Sequence, residues 1–292
     1  MNRPLDLGTA ASFRTERLVD VLIPTRNRPA ELAVTLAGLA AQNGVPGFGV
    51  VVSDQSDGEP AYAHPAAATM VRALRHGGHP VLLTRRLPRR GLAEHRAYLL
   101  AASAARYVLS LDDDVWLEPG ALHRLVTAIE ELGCGFVGNG VHGLSYTDDV
   151  RPDTHGHYQE WTGPPAPERI RPGTAEWDRA RIHSAANLLH ITAQLALPPG
   201  AWRAYKVSWV GGCVLYDRAK LVDSGGFDFW RRVQENHQGE DVAAQLAVLA
   251  RHGGAGVLPS GAYHLESPTT VTERDVEAWE VVLADEDTPQ PA

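Results

Sequence analysis

Tyr107-Val-Leu-Ser-Leu111-Asp112-Asp113-Asp114 runs an apolar strand-like stretch straight into three carboxylates. In extended chain, residues i and i+2 project to the same side, so Asp112 and Asp114 share a face. The strand then gives way to Val115-Trp-Leu-Glu118-Pro119. Carboxylates crowded at the end of a buried strand suffer desolvation and mutual repulsion unless a cation or strong donors compensate. A divalent cation carrying a diphosphate would supply that compensation. A calcium loop of the helix-loop-helix kind does not fit, because Leu117 stands where glycine is needed and His123 where glutamate is needed. The rival reading is a cluster that caps a helix beginning near Pro119.

Upstream, strand-like and helical stretches alternate. Val19–Ile23 reads as a strand closed by Pro24-Thr25-Arg26-Asn27-Arg28, and Pro29 opens a helix that Asn43-Gly44 stops. Gly49–Ser53 is a second strand, followed by turn residues Asp54-Gln-Ser-Asp-Gly58. A helix over 65–75, a strand over 81–84 and a helix over 92–106 lead back to Tyr107. Such alternation predicts an α/β, doubly wound and mainly parallel sheet with helices on both faces, whose ligands gather beyond the carboxyl ends of the strands. The turns after Ile23, Ser53, Thr84 and Leu111 all fall at such ends.

Further on, a helix over 119–132 and a strand near 135–138 precede a change of composition. Residues 140–205 are rich in Pro, His and Trp, with one helical stretch over 174–195, and read as a cover over the site. Strands at 213–216 and 256–259 and a helix at 240–251 restore the pattern. The expected organisation is a loose tail over 1–17, a nucleotide-sugar-binding half over 18–115, an acceptor-binding and catalytic half over 116–272 that includes 140–205, and a C-terminal tail over 273–292 whose last ten or so residues, from Ala284, are expected to be disordered.

A net charge of −8 argues against nucleic acid or an anionic membrane surface as the main partner. Two cysteines, Cys134 and Cys213, cannot form a disulfide framework, and no stretch is apolar enough to span a bilayer or act as a leader. A cytoplasmic location is therefore expected.

Several local features bear on chemistry. Pro24-Thr25-Arg26-Asn27-Arg28, Ser53-Asp54, Gly91-Leu-Ala-Glu-His-Arg96, Asp112-Asp-Asp114, Gly211-Gly212, Gly225-Gly-Phe227-Asp228 and Gly239-Glu240-Asp241 follow one another in the order and approximate spacing of the family 2 glycosyltransferases. The resemblance covers roughly residues 18–268 apart from 140–205. It implies a GT-A fold and an inverting, nucleotide-sugar-dependent reaction. Pro24, Thr25 and Arg26 then resemble the turn beside the nucleotide, and Asp54 the carboxylate that accepts the imino hydrogen of uracil or thymine. An ionised Asp is acceptor-only, which suits that pairing; its rival reading is an Asx-turn. Arg96 resembles an arginine facing the nucleotide, placed to hold phosphate or to order Asp54.

Within the same resemblance Asp112 is the ribose-side ligand, Asp113 assists, and Asp114 binds the metal. His264 stands where such folds often supply a further metal ligand, its rival reading being a plain surface-loop histidine, and imidazole beside carboxylate favours Mn2+ over Mg2+. Asp241 is the general base, kept ionised by a helix N-terminus. Trp209, Gly211, Gly212 and Glu240 fall on the acceptor side, although Trp209 suits core packing equally. His155-Gly-His157 with Tyr158 and Trp161 lacks further ligands at a zinc spacing and reads as a mobile acceptor loop. Arg85-Arg86 and Arg89-Arg90 suit either diphosphate attraction or a solvated loop.

The expected activity is single-sugar transfer from a UDP- or dTDP-sugar, since the Gln-x-x-Arg-Trp element of processive synthases is absent. A sugar-phosphate nucleotidyltransferase lacks its Gly-rich start here, and a dinucleotide reductase lacks Gly-x-Gly-x-x-Gly after the first strand. A non-catalytic nucleotide-sugar-binding protein is the remaining alternative.

Overall fold

The computed structural model describes residue 13, residues 17–269 and residues 276–286. The front half is built as the alternation predicts: β1 (Val19–Thr25), α1 (Pro29–Ala40), β2 (Gly49–Asp54), α2 (Pro65–His76), β3 (Val81–Arg85), α3 (Leu92–Ala102) and β4 (Tyr107–Leu111). There follow β5 (Val115–Leu117), α4 (Ala121–Leu132), β6 (Phe136–Gly138), β7 (His142–Gly143), α5 (Asn187–Leu195), β8 (Arg203–Tyr205), β9 (Cys213–Asp217) and α6 (Arg218–Asp223). The chain closes with β10 (His237–Gln238), α7 (Glu240–His252), β11 (Gly254–Leu258), β12 (Ala262–His264), β13 (Val276–Glu277) and α8 (Ala278–Glu286).

The eight-stranded sheet has the order β3-β2-β1-β4-β9-β6-β11-β8. The first four strands are parallel, and β9 runs antiparallel to both β4 and β6. Alternate β1 residues serve opposite faces: Val19, Val21 and Ile23 pack with α1, α2 and α4, whereas Leu22 packs with α3 and α7. After β1 the chain moves outward to β2 and β3, then returns to lay β4 on the other side of β1. The carboxyl ends of β1 and β4 thus flank a crossover crevice, where open α/β sheets bind ligands.

Four sequence readings need correction. The helix expected over 92–106 stops at Ala102, where Ser103 turns its hydroxyl to the buried Asp20 at 2.6 Å. The helix expected over 174–195 is broken near Ala185, which adopts φ 50°. Ser184 and Asn187 there bond neighbouring chain atoms in competition with helical pairing. Residues 140–205 are more than a cover, because β8 forms the outer edge of the main sheet against β11. Gly256 of β11 faces Tyr205 so closely that a Cβ there would lie 2.0 Å from the ring.

The fourth correction concerns the C-terminal tail. Residues 276–286 form β13 and α8, with Ala278 and Leu283 buried, and α8 packs on α7. Its apolar positions, Val276, Ala278, Trp279, Val282 and Leu283, outweigh the acidic residues between them. The tail expected over 1–17 lies outside the described residues apart from Phe13 and Arg17; the Phe13 ring is buried beneath the Arg17 guanidinium. The final residues, 287–292, also lie outside them.

Candidate active site

A cleft of about 940 Å³ opens at the crossover, lined by the ends of β1 and β4 and by the N-terminal ends of α3 and α7. Three carboxylates leave β4 in different settings. Asp113 is buried, accepting from Thr25 Oγ1 at 2.7 Å and from Arg28 Nη1 at 3.1 Å. The Thr25 bond ties the end of β1 to the end of β4 across the crevice. Burial, reinforced by Asp114 and Asp112, pushes Asp113 up to about 7 against the pull of Thr25 and Arg28.

Asp114 Oδ2 accepts from Arg28 Nη1 at 2.6 Å and lies 3.4 Å from His264 Nε2. Burial works to raise Asp114, but His264 and Arg28 outweigh it and hold the carboxyl below its ordinary value. The same bond raises His264. Antiparallel pairing makes this meeting possible, since β12 places His264 opposite Val115, one residue beyond Asp114. Asp112 is the open member, with 37% of its side chain exposed.

Arg96 sits 6% exposed and binds three partners: Ser110 Oγ at 2.6 Å, Asp112 Oδ1 at 2.8 Å and Glu240 Oε1 at 2.7 Å. Burial works to discharge it, yet Asp112 and Glu240 prevail and hold it charged. It does not order Asp54, one of the two roles the sequence suggested; it joins the end of β4 to the start of α7 and borders the cleft. Glu240, expected on the acceptor side, borders the cleft but is buried, with Oε1 accepting from Arg96 Nε at 2.7 Å.

Asp241 borders the cleft on the first turn of α7, with Val242 N donating to Oδ1 at 2.9 Å. Burial, then repulsion from Glu240 and Asp112, pushes it up to about 7 despite Arg96. The helix terminus was expected to lower it; the two carboxylates beside it and the loss of water dominate.

Asp54 is fully buried and its oxygens are occupied. Oδ1 accepts from Ser56 N at 2.8 Å, while Oδ2 accepts from Ser56 Oγ and Ala61 N, both at 2.9 Å. That is the Asx-turn arrangement, and it closes the loop after β2 in place of the expected base contact. Pro24, Thr25 and Arg26 do border the cleft. Trp209, Gly211 and Gly212 do not. Trp209 packs on Trp177 with ring centroids 4.8 Å apart, and Gly212 supports the site from behind by accepting Asp112 N at 2.9 Å. His155 lies 6.1 Å from His190 by ring centroid, within the 140–205 segment, and Tyr158 donates to Glu160. Of the paired arginines, Arg89 reaches the cleft, Arg85 secures the carbonyls of Ser56 and Gly58, and Arg86 pairs with Glu94.

Sequence reasoning missed Arg28, Gln245 and His237. Arg28 caps the N-terminus of α1, where a cation is electrostatically misplaced. That misplacement was a legible sign of acidic partners nearby. Gln245 stands one turn after Asp241 and is fully buried, clasping both backbone groups of Val210 at 2.7 and 2.8 Å. His237 accepts Ala93 N at 3.0 Å at the start of α3.

Asp114 and His264 supply one carboxylate and one imidazole at the cleft, with Arg28 as the positive charge beside them. Among the described residues no cluster of three or more His, Cys, Asp or Glu could hold a metal alone. Two protein ligands fit a cation whose shell is completed by diphosphate oxygens and water.

A mixed sheet with an acidic strand end at its crossover cleft is the GT-A glycosyltransferase architecture, and solved structures share it. TarS of S. aureus, residues 1–349, solved with UDP-GlcNAc, aligns at 15% identity over 87% of this chain and 60% of that one, with a TM-score of 0.55. The mannosyltransferase PcManGT from Pyrobaculum calidifontis, solved with GDP-Man and Mn2+, aligns at 15% identity over 99% of this chain and 69% of that one, with a TM-score of 0.54. This chain thus spans about 60% of the TarS fragment's length. Identities this low establish the fold. No curated protein matches the chain by sequence. The chain belongs to glycosyl transferase family 2, matched over residues 20–186. No helix among the described residues is long and apolar enough to cross a membrane.

Proposed function

We propose that this protein transfers one sugar from a nucleoside-diphosphate donor to an acceptor hydroxyl, with inversion at the anomeric carbon. One observation carries the reading: a single cleft presents a carboxylate–imidazole pair, Asp114 and His264, together with a carboxylate of raised pKa, Asp241. The first pair suits a cation on a diphosphate, and the second group suits a general base near neutral pH. Asp241 takes the acceptor hydroxyl proton as the acceptor oxygen bonds the anomeric carbon. The bond from that carbon to the diphosphate breaks in the same displacement. Asp112, half open beside Arg96, accepts from a ribose hydroxyl, and Pro24, Thr25 and Arg26 flank the nucleotide. A divalent cation, held by Asp114 and His264, would neutralise charge on the departing diphosphate. The imidazole favours Mn2+ over Mg2+.

With Asp54 closed on its own loop, a UDP- or dTDP-sugar donor rests on the family resemblance, and GDP-sugars are the direct competitor. Thermal-shift measurements with UDP, dTDP, GDP and CMP, each with and without Mn2+, assign the nucleotide and the metal together. Transfer of labelled sugar followed by NMR of the product tests the mechanism. Inversion supports it; retention, or release of pyrophosphate from a nucleoside triphosphate, overturns it.

A further inference from the structure

The loop that delivers Asp241 is held from outside the cleft by the C-terminal segment. Strand β10 pairs in parallel with β13, His237 against Val276 and Gln238 against Glu277. Two residues per strand make a ladder too short to persist unaided. Side chains complete it. The Glu277 carboxylate accepts from Gln238 Nε2 at 2.5 Å and from Trp279 Nε1 at 2.8 Å, so both of its oxygens are used. Trp279 rests on Trp177 with ring centroids 4.8 Å apart, and Trp177 meets Trp209 at the same separation.

The junction with the base is tight. Gly239 precedes Glu240 and Asp241 and adopts φ 71°. A Cβ there would lie 2.7 Å from Glu277 Oε2 and 2.9 Å from Trp279 Cδ1. On the other side of Gln238, His237 is fastened to Ala93 N at the start of α3 and to the Gln234 carbonyl. The one turn that sets the direction of α7's first residues is therefore wedged between α3 and Glu277. Asp241 itself bonds only its neighbour Val242 among the hydrogen bonds seen, so this turn governs its aim.

We propose that Glu277 is a positioning residue for the reaction, a brace that fixes Asp241 through Gln238 and Gly239. The proposal rests on the reading of Asp241 as the base. It gives the C-terminal segment a catalytic purpose that composition conceals. A reacting group displaced by about 1 Å loses on the order of 100-fold in rate, so a brace this close to the base acts on turnover more than on donor binding.

The test is Glu277→Gln in the full chain. The amide is the same size but accepts from one donor only and turns its own N–H against the other. Hydrogen exchange of residues 234–241 is expected to accelerate by about tenfold or more, with kcat falling roughly 10- to 100-fold and donor KM held within about twofold. The double variant Gln238→Glu with Glu277→Gln restores both bonds, since the new Glu accepts from the amide and the amide oxygen accepts from Trp279. Because Gln238 borders the cleft, its rescue is read by exchange alone and should return to the native rate. Native exchange in Glu277→Gln overturns the brace, as does unchanged kcat alongside accelerated exchange. A native chain that transfers no sugar sinks the base reading and the catalytic half of this proposal, while exchange still judges the brace.

Discussion

Each end of the cleft neutralises its carboxylates with one arginine, and the two arginines are built differently. Arg96 lies on a helix, buried, with three partners that belong to β4 and α7. Arg28 lies on the turn before α1, and binds Asp113, Asp114 and the Pro268 carbonyl. Arg96 is thus a strut between the end of β4 and the start of α7. Arg28 instead sits against the carboxylate assigned to the cation. One guanidinium is enclosed between two elements of the core, and the other stands on a turn at the cleft.

Removing the group both ends serve should have the largest effect. Asp241→Asn should lower turnover by about 10²–10⁴ while the nucleotide-induced thermal shift stays intact; normal turnover would refute the assignment. Arg96→Met tests the strut. It strands Glu240 in a buried site, so chemical denaturation should show a loss of about 3 kcal/mol, reduced to the extent that Asp112 remains in water. An unchanged midpoint would mean that Arg96 links nothing.

The pH profile ranks next. A base raised to about 7 is protonated, and idle, below that value. kcat should therefore rise about tenfold per pH unit up to near 7 and level off above it. A flat profile between pH 5 and 7 contradicts the raised carboxyl. Arg28→Met leaves the buried Asp113 and Asp114 without their guanidinium, a stability loss of about 3 kcal/mol that protonation of Asp113 reduces. Calorimetric Mn2+ titration should then show tighter binding without nucleotide, because the cation no longer displaces a guanidinium. Weaker binding would place Arg28 among the groups that assist the metal.

The front half was legible because buried parallel strands carry short apolar runs, Val21–Ile23 and Val50–Val52 among them, bounded by turn residues. Arg203–Tyr205 gave no such signal; three residues carry no period, and Tyr205 finds its place only through Gly256. Residues 276–286 were read as tail because the surface they cover comes from α7, distant in sequence. At the site, the order of residues revealed which side chains assemble, and the cleft does gather Pro24, Thr25, Arg26, Asp112, Asp113, Asp114, Asp241 and His264. It did not reveal which oxygens were already spent. Asp54 looks free in a sequence, and only the folded chain shows Ser56 and Ala61 holding both of its oxygens, as it shows Arg96 on Oε1 of Glu240. Trp209 followed its core-packing alternative, on a tryptophan from a segment that sequence could not place.

The strand Arg203–Tyr205 also shields the molecule from itself. It covers the outward hydrogen-bonding groups of Gly256–Leu258, whose buried apolar neighbours would otherwise present a sticky ribbon to passing chains. Engineers who trim this protein to a minimal catalyst by excising the irregular middle would uncover that ribbon. The trimmed chain would then carry an unpaired edge open to pairing with another chain.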